Sequence, residues 1–377
     1  MKLAIATEQQ ELRDAVRRFL ADRAPLARVR ELMETPDGID RPVWRQAGAQ
    51  LGLQGIAIPE EYGGAGFSFV EQAIVLEELG AALYGGPYLA SAVLAATALL
   101  SAPDQVARAK LLPPIASGQT VATLAVAEDD GSWDPAAVRL TASRVASAAP
   151  GGGWILDGHK SFVLDGHAAD LILVVAATDS GLSLFGVRAG AAGLNRRVLP
   201  TLDQTRKLAR LEFRSVSSAR LIGAPGEAGT VLARSLDVAA IALAAEQLGG
   251  AQRALDMAVG YAKTRHQFGR PIGSFQAIKH RCADLLLEVS SLRSAVRYAA
   301  AAVAEDSAEI PVVAAMTKAY ASDVYFDVAA ENIQIHGGIG FTWEHDAHLY
   351  FKRAKSSELF LGDASYHRER LARRIGL

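Results

Sequence analysis

The sequence predicts an α+β chain with an N-terminal helical domain, a middle β domain and a C-terminal four-helix bundle, and three observations predict it. Apolar residues recur at three- and four-residue spacing up to about residue 118. Short apolar runs separated by Gly, Asp and Ser clusters then follow to about residue 227. After that the helical period returns and persists. The expected domains are therefore 1–118, 119–227 and 228–377.

Taken in order, Leu12, Val16, Phe19 and Leu20 mark the first helical stripe, and Val70, Ile74, Leu76 and Leu79 mark another. Pro25, Pro36, Pro42, Pro59 and the Gly63-Gly64 turn punctuate the helices. The apolar stretch 86–100 is shorter than the ~20 residues a membrane span needs and carries Gly, Pro and Ser, so it reads as a buried helix. Strands are expected at 121–126, 138–145, 154–164, 171–177, 182–187 and 208–213, dense enough for a small barrel or two packed sheets. A Gly151-Gly152-Gly153 turn interrupts them. Long Ala-rich helices at 231–263 and 278–305 are expected to lie side by side. Pro311 starts a further helix, which His336-Gly337-Gly338 ends by supplying residues that tolerate left-handed backbone.

Composition narrows the function classes. A chain of 377 residues with 50% hydrophobic and 21% charged content reads as an ordinary globular protein. A net charge of −2 leaves no electrostatic footprint for nucleic acid, and Arg368, Arg370, Arg373 and Arg374 read as a solvated helix face. Cys282 is the only cysteine, so no intrachain disulfide forms, and its helical context predicts a buried inert thiol. The opening Met1-Lys2-Leu3 runs into a charged helical pattern without an apolar signal core, which sets a cytoplasmic expectation with no membrane span. His336, His345 and His348 lack a convergent cysteine or carboxylate set, so no metal is expected.

The most specific signals are Arg265-His266-Gln267-Phe268-Gly269, then Phe275-Gln276, then Gln334-Ile335-His336-Gly337-Gly338. In this order and helical context they resemble the paired cofactor signature of the acyl-CoA dehydrogenase family. Pro59-Glu60-Glu61-Tyr62-Gly63-Gly64 and Glu77-Glu78-Leu79-Gly80 look like that family's N-terminal helical motifs, so the resemblance covers essentially the whole chain. The resemblance implies FAD, with Arg265, Gln267, Phe268, Phe275, Gln276, Gln334, Ile335, His336, Gly337 and Gly338 reaching across a dimer interface to the ADP half of a neighbour's cofactor. A pyrophosphate calls for a permanent guanidinium fork and close backbone approach, which Arg265 and the glycine pair can supply.

The same resemblance exposes departures. Where family members hold the flavin ring with Thr-Glu-Pro and Trp-Ile-Thr segments, this chain reads Ala127-Glu128-Asp129, followed by Gly131-Ser132-Trp133-Asp134, and Phe162-Val163-Leu164. Neither Ala127 nor Leu164 carries a hydroxyl to donate. The family's catalytic glutamate lies in a Tyr-Glu-Gly tripeptide, and the matching residues here are Phe360-Leu361-Gly362. Some members carry it two residues after the aspartate matched by Asp237, where this chain has Ala239, followed by Ala240. Removing a proton beside a thioester needs a positioned base, worth roughly 10²–10⁴-fold.

Three readings follow. The first is the base-deficient subunit of a heteromeric acyl-CoA dehydrogenase, similar to paired enzymes of actinobacterial steroid side-chain or dicarboxylate catabolism. Its partners would be an acyl-CoA substrate, a homologous subunit in a dimer of dimers, and electron-transferring flavoprotein. The second is a self-sufficient homotetramer with a displaced base, Asp363 or Glu246, although Asp363 also reads as a helix N-cap. The third is an inactive assembly subunit.

Overall fold

The computed structural model describes residues 5–145 and 153–377. The opening Met1-Lys2-Leu3 and the Gly151-Gly152 part of the expected turn lie outside the described residues. The chain forms two compact units: a helical one from Met1–Arg30, Phe69–Tyr84 and Ala240–Leu377, and a second from Glu31–Ser68 and Gly85–Ala239.

The N-terminal helices are α1 (Thr7–Arg23), α2 (Leu26–Met33), α3 (Arg41–Leu51), α4 (Phe69–Ala81), α5 (Ala96–Ser101) and α6 (Gln105–Ala116). Local signals place several ends. Asp40 caps α3 by accepting the Val43 N–H, and Asp104 caps α6 by accepting the Ala107 N–H, each satisfying a donor that the first turn leaves free. The apolar stretch 86–100 is buried as expected, but its first part, Leu89–Ala95, winds as a π-helix before continuing into α5.

Among the described residues, the middle of the chain forms a seven-stranded sheet of β1 (Ala122–Ala125), β2 (Thr141–Val145), β3 (Gly153–Leu164), β4 (Leu171–Thr178), β5 (Gly181–Arg188), β6 (Leu194–Leu199) and β7 (Leu208–Ile222). The pairings β4–β2, β2–β3, β3–β7, β7–β5 and β5–β4 close a ring, with β1 added on β4 and β6 on β7. Of the two expected arrangements the barrel is therefore the one adopted, which removes most free edges. Two strand features differ from expectation. β6 is absent from the expected set because three of the four residues Leu194-Asn195-Arg196-Arg197 are polar and none is buried, so the stretch gives no apolar run. β7 runs nine residues further than the expected 208–213, through a mostly polar stretch that pairs with β3 and β5 and, among the described residues, buries only Val216 and Ile222.

The C-terminal part comprises α7 (Ala228–Thr264), α8 (Gln276–Ala304), α9 (Ile310–His336), α10 (Ala347–Leu359) and α11 (Ala364–Arg374), so three long helices are followed by two short ones. Pro311 sits in the first turn of α9, where its missing N–H costs nothing. In the helical unit α4 and α7 touch backbone to backbone. A Cβ on Gly80 would lie 1.9 Å from the Glu246 carbonyl oxygen, and one on Gly249 would lie 1.8 Å from that of Glu77. Only glycine fits at either position, so Glu77-Glu78-Leu79-Gly80 is half of a helix crossing. α7 is long and apolar enough to cross a membrane, but 78% of its most apolar window is buried inside the protein, which identifies it as a core helix.

Candidate cofactor and active site

The residues around Phe268 are built by a tight hairpin. β8 (His266–Gln267) pairs with β9 (Arg270–Pro271), leaving Phe268 and Gly269 as the two turn residues, with φ of 53° and 75°. Positive φ at both central positions is the hairpin turn whose twist matches its strands. The turn throws Phe268 outward, where it is 90% exposed, and its ring meets Phe275 edge-on at 6.1 Å between centroids. Arg270 lies over the Phe275 ring at 4.1 Å, a residue the motif reading missed although it directly follows Gly269. Gln276 opens α8, and Arg265, Gln267 and Gln276 are exposed.

The second motif comes to the same place. Ile335 is buried with Ala258 and Ala262 of α7, and Tyr261, Ile272, Ile278 and Cys282 pack against that cluster. The 334–338 segment is thereby fastened to the base of the hairpin by apolar contact. The cluster assigns the expected site residues to two jobs. Gln334, Gly337 and Gly338 are exposed, and nothing lies within 4 Å of a Cβ built on either glycine, so their backbone is open to a ligand from outside the chain. The Ile335 side chain faces the core instead, so any cofactor contact at that residue is through its backbone. His336 is also buried: its Nδ1 lies 2.7 Å from the Asn332 carbonyl oxygen, and its ring packs on Tyr261 at 4.3 Å and His345 at 4.4 Å. Burial, with His345 adding to it, pushes the His336 pKa down and favours the neutral ring. Among the described residues no three His, Cys, Asp or Glu side chains converge as a metal site. Cys282 is half-buried, and burial raises its pKa, which suppresses the reactive thiolate.

The segments matching the flavin-ring positions are closed up by their own neighbours. Ala127 is buried, and its carbonyl accepts the Ser161 N–H at 2.9 Å. Glu128 accepts the N–H groups of Arg139 and Leu140 at 2.8 Å each and pairs with fully buried Lys160 at 2.9 Å. Burial opposes ionisation of Glu128, but those hydrogen bonds and Lys160 hold its carboxyl below the usual range. Asp129 is bound by Arg210 and Ser161, with His159 Nε2 at 3.0 Å. Leu164 is buried, and its carbonyl accepts the Thr123 hydroxyl at 2.6 Å. The side chains present thus fit the ADP half of an FAD, with a guanidinium and an open glycine backbone, and offer no hydroxyl at Ala127 or Leu164 for the ring half.

The base positions are equally plain. Leu361 is 3% exposed and adopts φ of 64°, and Gly362 follows with φ of 98°. The turn is held from below. His367 Nε2 lies 3.1 Å from the Leu361 carbonyl oxygen, and the Lys318 ammonium donates to the Glu358 and Gly362 carbonyls at 3.1 Å and to the Ser322 hydroxyl at 2.8 Å. Desolvation first, and the Lys318 charge second, push the His367 pKa down to about 3. Ala239 and Ala240 are fully buried on α7. Of the displaced-base candidates, Glu246 pairs with Arg353 at 2.7 Å in the interior, and Asp363 caps α11 by accepting the Tyr366 N–H at 2.7 Å. On α11, Arg368 pairs with Asp323 and Arg373 with Glu369 at the surface, whereas half-buried Arg370 lies over Tyr366 and half-buried Arg374 donates to the Pro311 carbonyl, so only part of the expected solvated face is open.

Comparison with known proteins agrees with this arrangement. The model of the acyl-CoA dehydrogenase N-terminal domain matches residues 6–119, and that of the C-terminal domain matches residues 228–376. Acyl-CoA dehydrogenase IpdE2 of Mycobacterium tuberculosis is 39% identical over 94% of this chain and 93% of its own length. A chain of the ChsE4-ChsE5 complex from Mycobacterium tuberculosis superposes with a TM-score of 0.89 at 33% identity, covering 100% of this chain and 99% of that one. A chain of the Tcur3481-Tcur3483 steroid ACAD gives 0.87 at 33% identity, covering 99% and 98%. The hairpin, the glycine loop fastened to it and these matches along the full length lead to one conclusion: the chain belongs to the acyl-CoA dehydrogenase family, whose members are FAD-dependent oxidoreductases acting on acyl-CoA.

Proposed function

We propose that this chain is the base-deficient subunit of a heteromeric acyl-CoA dehydrogenase. It would hold the ADP half of an FAD whose catalytic glutamate belongs to a homologous partner chain. The observation that carries the reading is the fate of the carboxylates. Both family base positions are apolar and buried, at Leu361 and at Ala239 with Ala240, while Glu246 is committed to Arg353 and Asp363 to a helix cap. A base must reach the proton it removes, and an ion-paired or capping carboxylate is not free to do so. The displaced-base reading draws no support from either residue.

What this subunit would contribute is binding and orientation. Arg265 would supply the charged fork for the pyrophosphate, and Gly337 and Gly338 the close backbone approach. Gln267, Phe268, Phe275, Gln276 and Gln334 would line the same edge, with Ile335 and His336 holding the loop from beneath. When bound, FAD supplies the hydride acceptor for α,β-dehydrogenation of a CoA thioester. The likeness to chains of the ChsE4-ChsE5 complex and of a steroid ACAD supports a homologous partner and a steroid-derived acyl group, while the dimer of dimers rests on the family resemblance. Electron-transferring flavoprotein as acceptor and cytoplasmic residence rest on the family resemblance.

The test is the visible spectrum of the chain purified alone, with flavin quantified per protomer, and again after co-expression with a homologous dehydrogenase chain. Little flavin alone, with flavin and turnover restored by the partner, is expected. A full complement of FAD and dehydrogenation by this chain alone would overturn the proposal. Restored flavin without turnover by any partner complex would leave only the assembly role.

A further inference from the structure

The helical unit contains a cavity away from the hairpin edge. It is a cavity of about 580 Å³ among α1, the start of α2, α4, α7, α8 and α10. None of its lining residues belongs to the hairpin, the 334–338 loop or the Leu361 turn. Its size lies within the range of small-molecule sites.

The charges around it are unevenly satisfied. Glu78 is clamped by Arg17 through Nε at 3.0 Å and Nη2 at 2.9 Å, and Arg13 bridges Glu77 at 2.8 Å and Glu78 at 3.5 Å. Those two carboxylates are thereby neutralised within the wall. The other two arginines donate to uncharged oxygens: Arg293 to the Gln252 amide oxygen at 2.6 Å, and Arg253 to the Tyr350 hydroxyl. The Tyr350 hydroxyl donates in turn to the Ala81 carbonyl at 2.7 Å, which leaves its lone pairs for Arg253. Asp256, the remaining acid, accepts from the Gln252 amide at 2.9 Å. Four lining arginines less three lining carboxylates leave one positive charge. Each guanidinium has five N–H donors, so Arg253 and Arg293 retain capacity beyond these single bonds. Beside them the accessible wall is apolar, formed by Ala21, Pro25, Leu26, Ala81 and Ala82 over buried Leu20 and Leu248.

We propose that this cavity binds an amphipathic monocarboxylate, its head held by Arg253 and Arg293 and its hydrocarbon tail lying against Ala21, Pro25, Leu26, Ala81 and Ala82. The single unbalanced charge matches a carboxylate, and a planar guanidinium meets a carboxylate through paired hydrogen bonds. The apolar wall gives a tail the area from which its affinity would come.

The test uses the full chain, titrated calorimetrically with octanoate, with octanamide as the neutral isostere. Octanoate is expected to bind at one site per chain and octanamide about tenfold or more weaker, since charge-assisted hydrogen bonds carry the difference. The Arg253→Gln/Arg293→Gln double variant is expected to lose octanoate affinity by about the same factor. Octanamide binding as tightly as octanoate, octanoate failing to bind, or a folded double variant binding normally would each overturn the proposal. If the double variant does not fold, the octanoate and octanamide comparison on the wild-type chain decides alone. No flavin enters the measurement, so its outcome is independent of the heteromeric reading.

Discussion

Two turns in this chain use the same backbone device for opposite ends. At Phe268-Gly269 and at Leu361-Gly362, a non-glycine residue at left-handed φ precedes a glycine at positive φ. In the hairpin the first side chain is 90% exposed; in the C-terminal turn it is 3% exposed. A left-handed non-glycine residue costs roughly 1–2 kcal/mol and persists only where its surroundings hold it. In the hairpin the strained residue points its aromatic ring away from the chain. The C-terminal turn, with its carbonyls gripped by His367 and Lys318, buries an apolar side chain where a family catalyst would stand. Backbone geometry is thus shared between an exposed turn and a buried one, and the side chain and its surroundings separate them.

The largest expected break in this comparison comes from truncating the two side chains. Leu361→Ala removes buried area and leaves a cavity, so it should cost about 3 kcal/mol, read as a lower denaturant midpoint. Phe268→Ala should change stability by no more than about 0.5 kcal/mol while lowering the flavin retained by a purified partner complex. Equal destabilisation by both variants would mean that the hairpin ring is part of the fold.

The glycines give the next contrast. A Cβ at Gly362 would sit 2.2 Å from the Tyr366 ring, whereas one at Gly269 meets nothing within 4 Å. Gly362→Ala should therefore cost about 2–3 kcal/mol, combining left-handed strain with displacement of the ring, and Gly269→Ala about 1 kcal/mol from strain alone. Thermal melts of the pair measure the difference directly, and a Gly269 cost equal to that of Gly362 would contradict the open space around the hairpin.

What was legible in the sequence follows the range of the interaction that matters. The Asp363 cap could be read because donor and acceptor are three residues apart. The Glu246–Arg353 pair could not, since 107 residues separate the partners and neither has a local signal. The order helices, strands, helices was visible in periodicity, yet β6 was not, because a polar strand is placed by its neighbour's hydrogen bonds rather than by its own burial. The motif residues come together at one edge, but their sequence did not show the direction of each side chain. Ile335 and Phe268 are both apolar members of those motifs, and only packing decides that one closes the core and the other faces out.

The support under the Leu361 turn should also be visible in acid. His367 has its pKa lowered to about 3 by burial and by Lys318, against an ordinary value near 6.5. A group that binds its proton more readily when unfolded stabilises the fold fully above its unfolded pKa, so this contribution is lost as pH falls from about 6.5 toward 3. His336 and His348, also lowered by burial, act in the same direction, whereas buried Glu77, whose pKa is raised, acts in the opposite one. Stability measured against pH should therefore decline through that window, and His367→Gln should flatten part of the decline. An unchanged slope in a folded variant would show that His367 is not what holds the turn.

The smallest expected effect belongs to the hairpin's own support. Arg270 over Phe275 is an exposed cation–π contact, worth roughly 0.5–1 kcal/mol, so Arg270→Gln should leave the global melt nearly unchanged. Its consequence is local, because Phe275 is also the edge-on partner of Phe268 and the N-cap position of α8. Loosening that ring should lower flavin retention in the partner complex severalfold without touching the Leu361 turn, whose lining residues are all elsewhere. Retention equal to wild type would mean that the hairpin is held outward by its backbone turn alone, and the two turns would then differ only in which side chain each happens to carry.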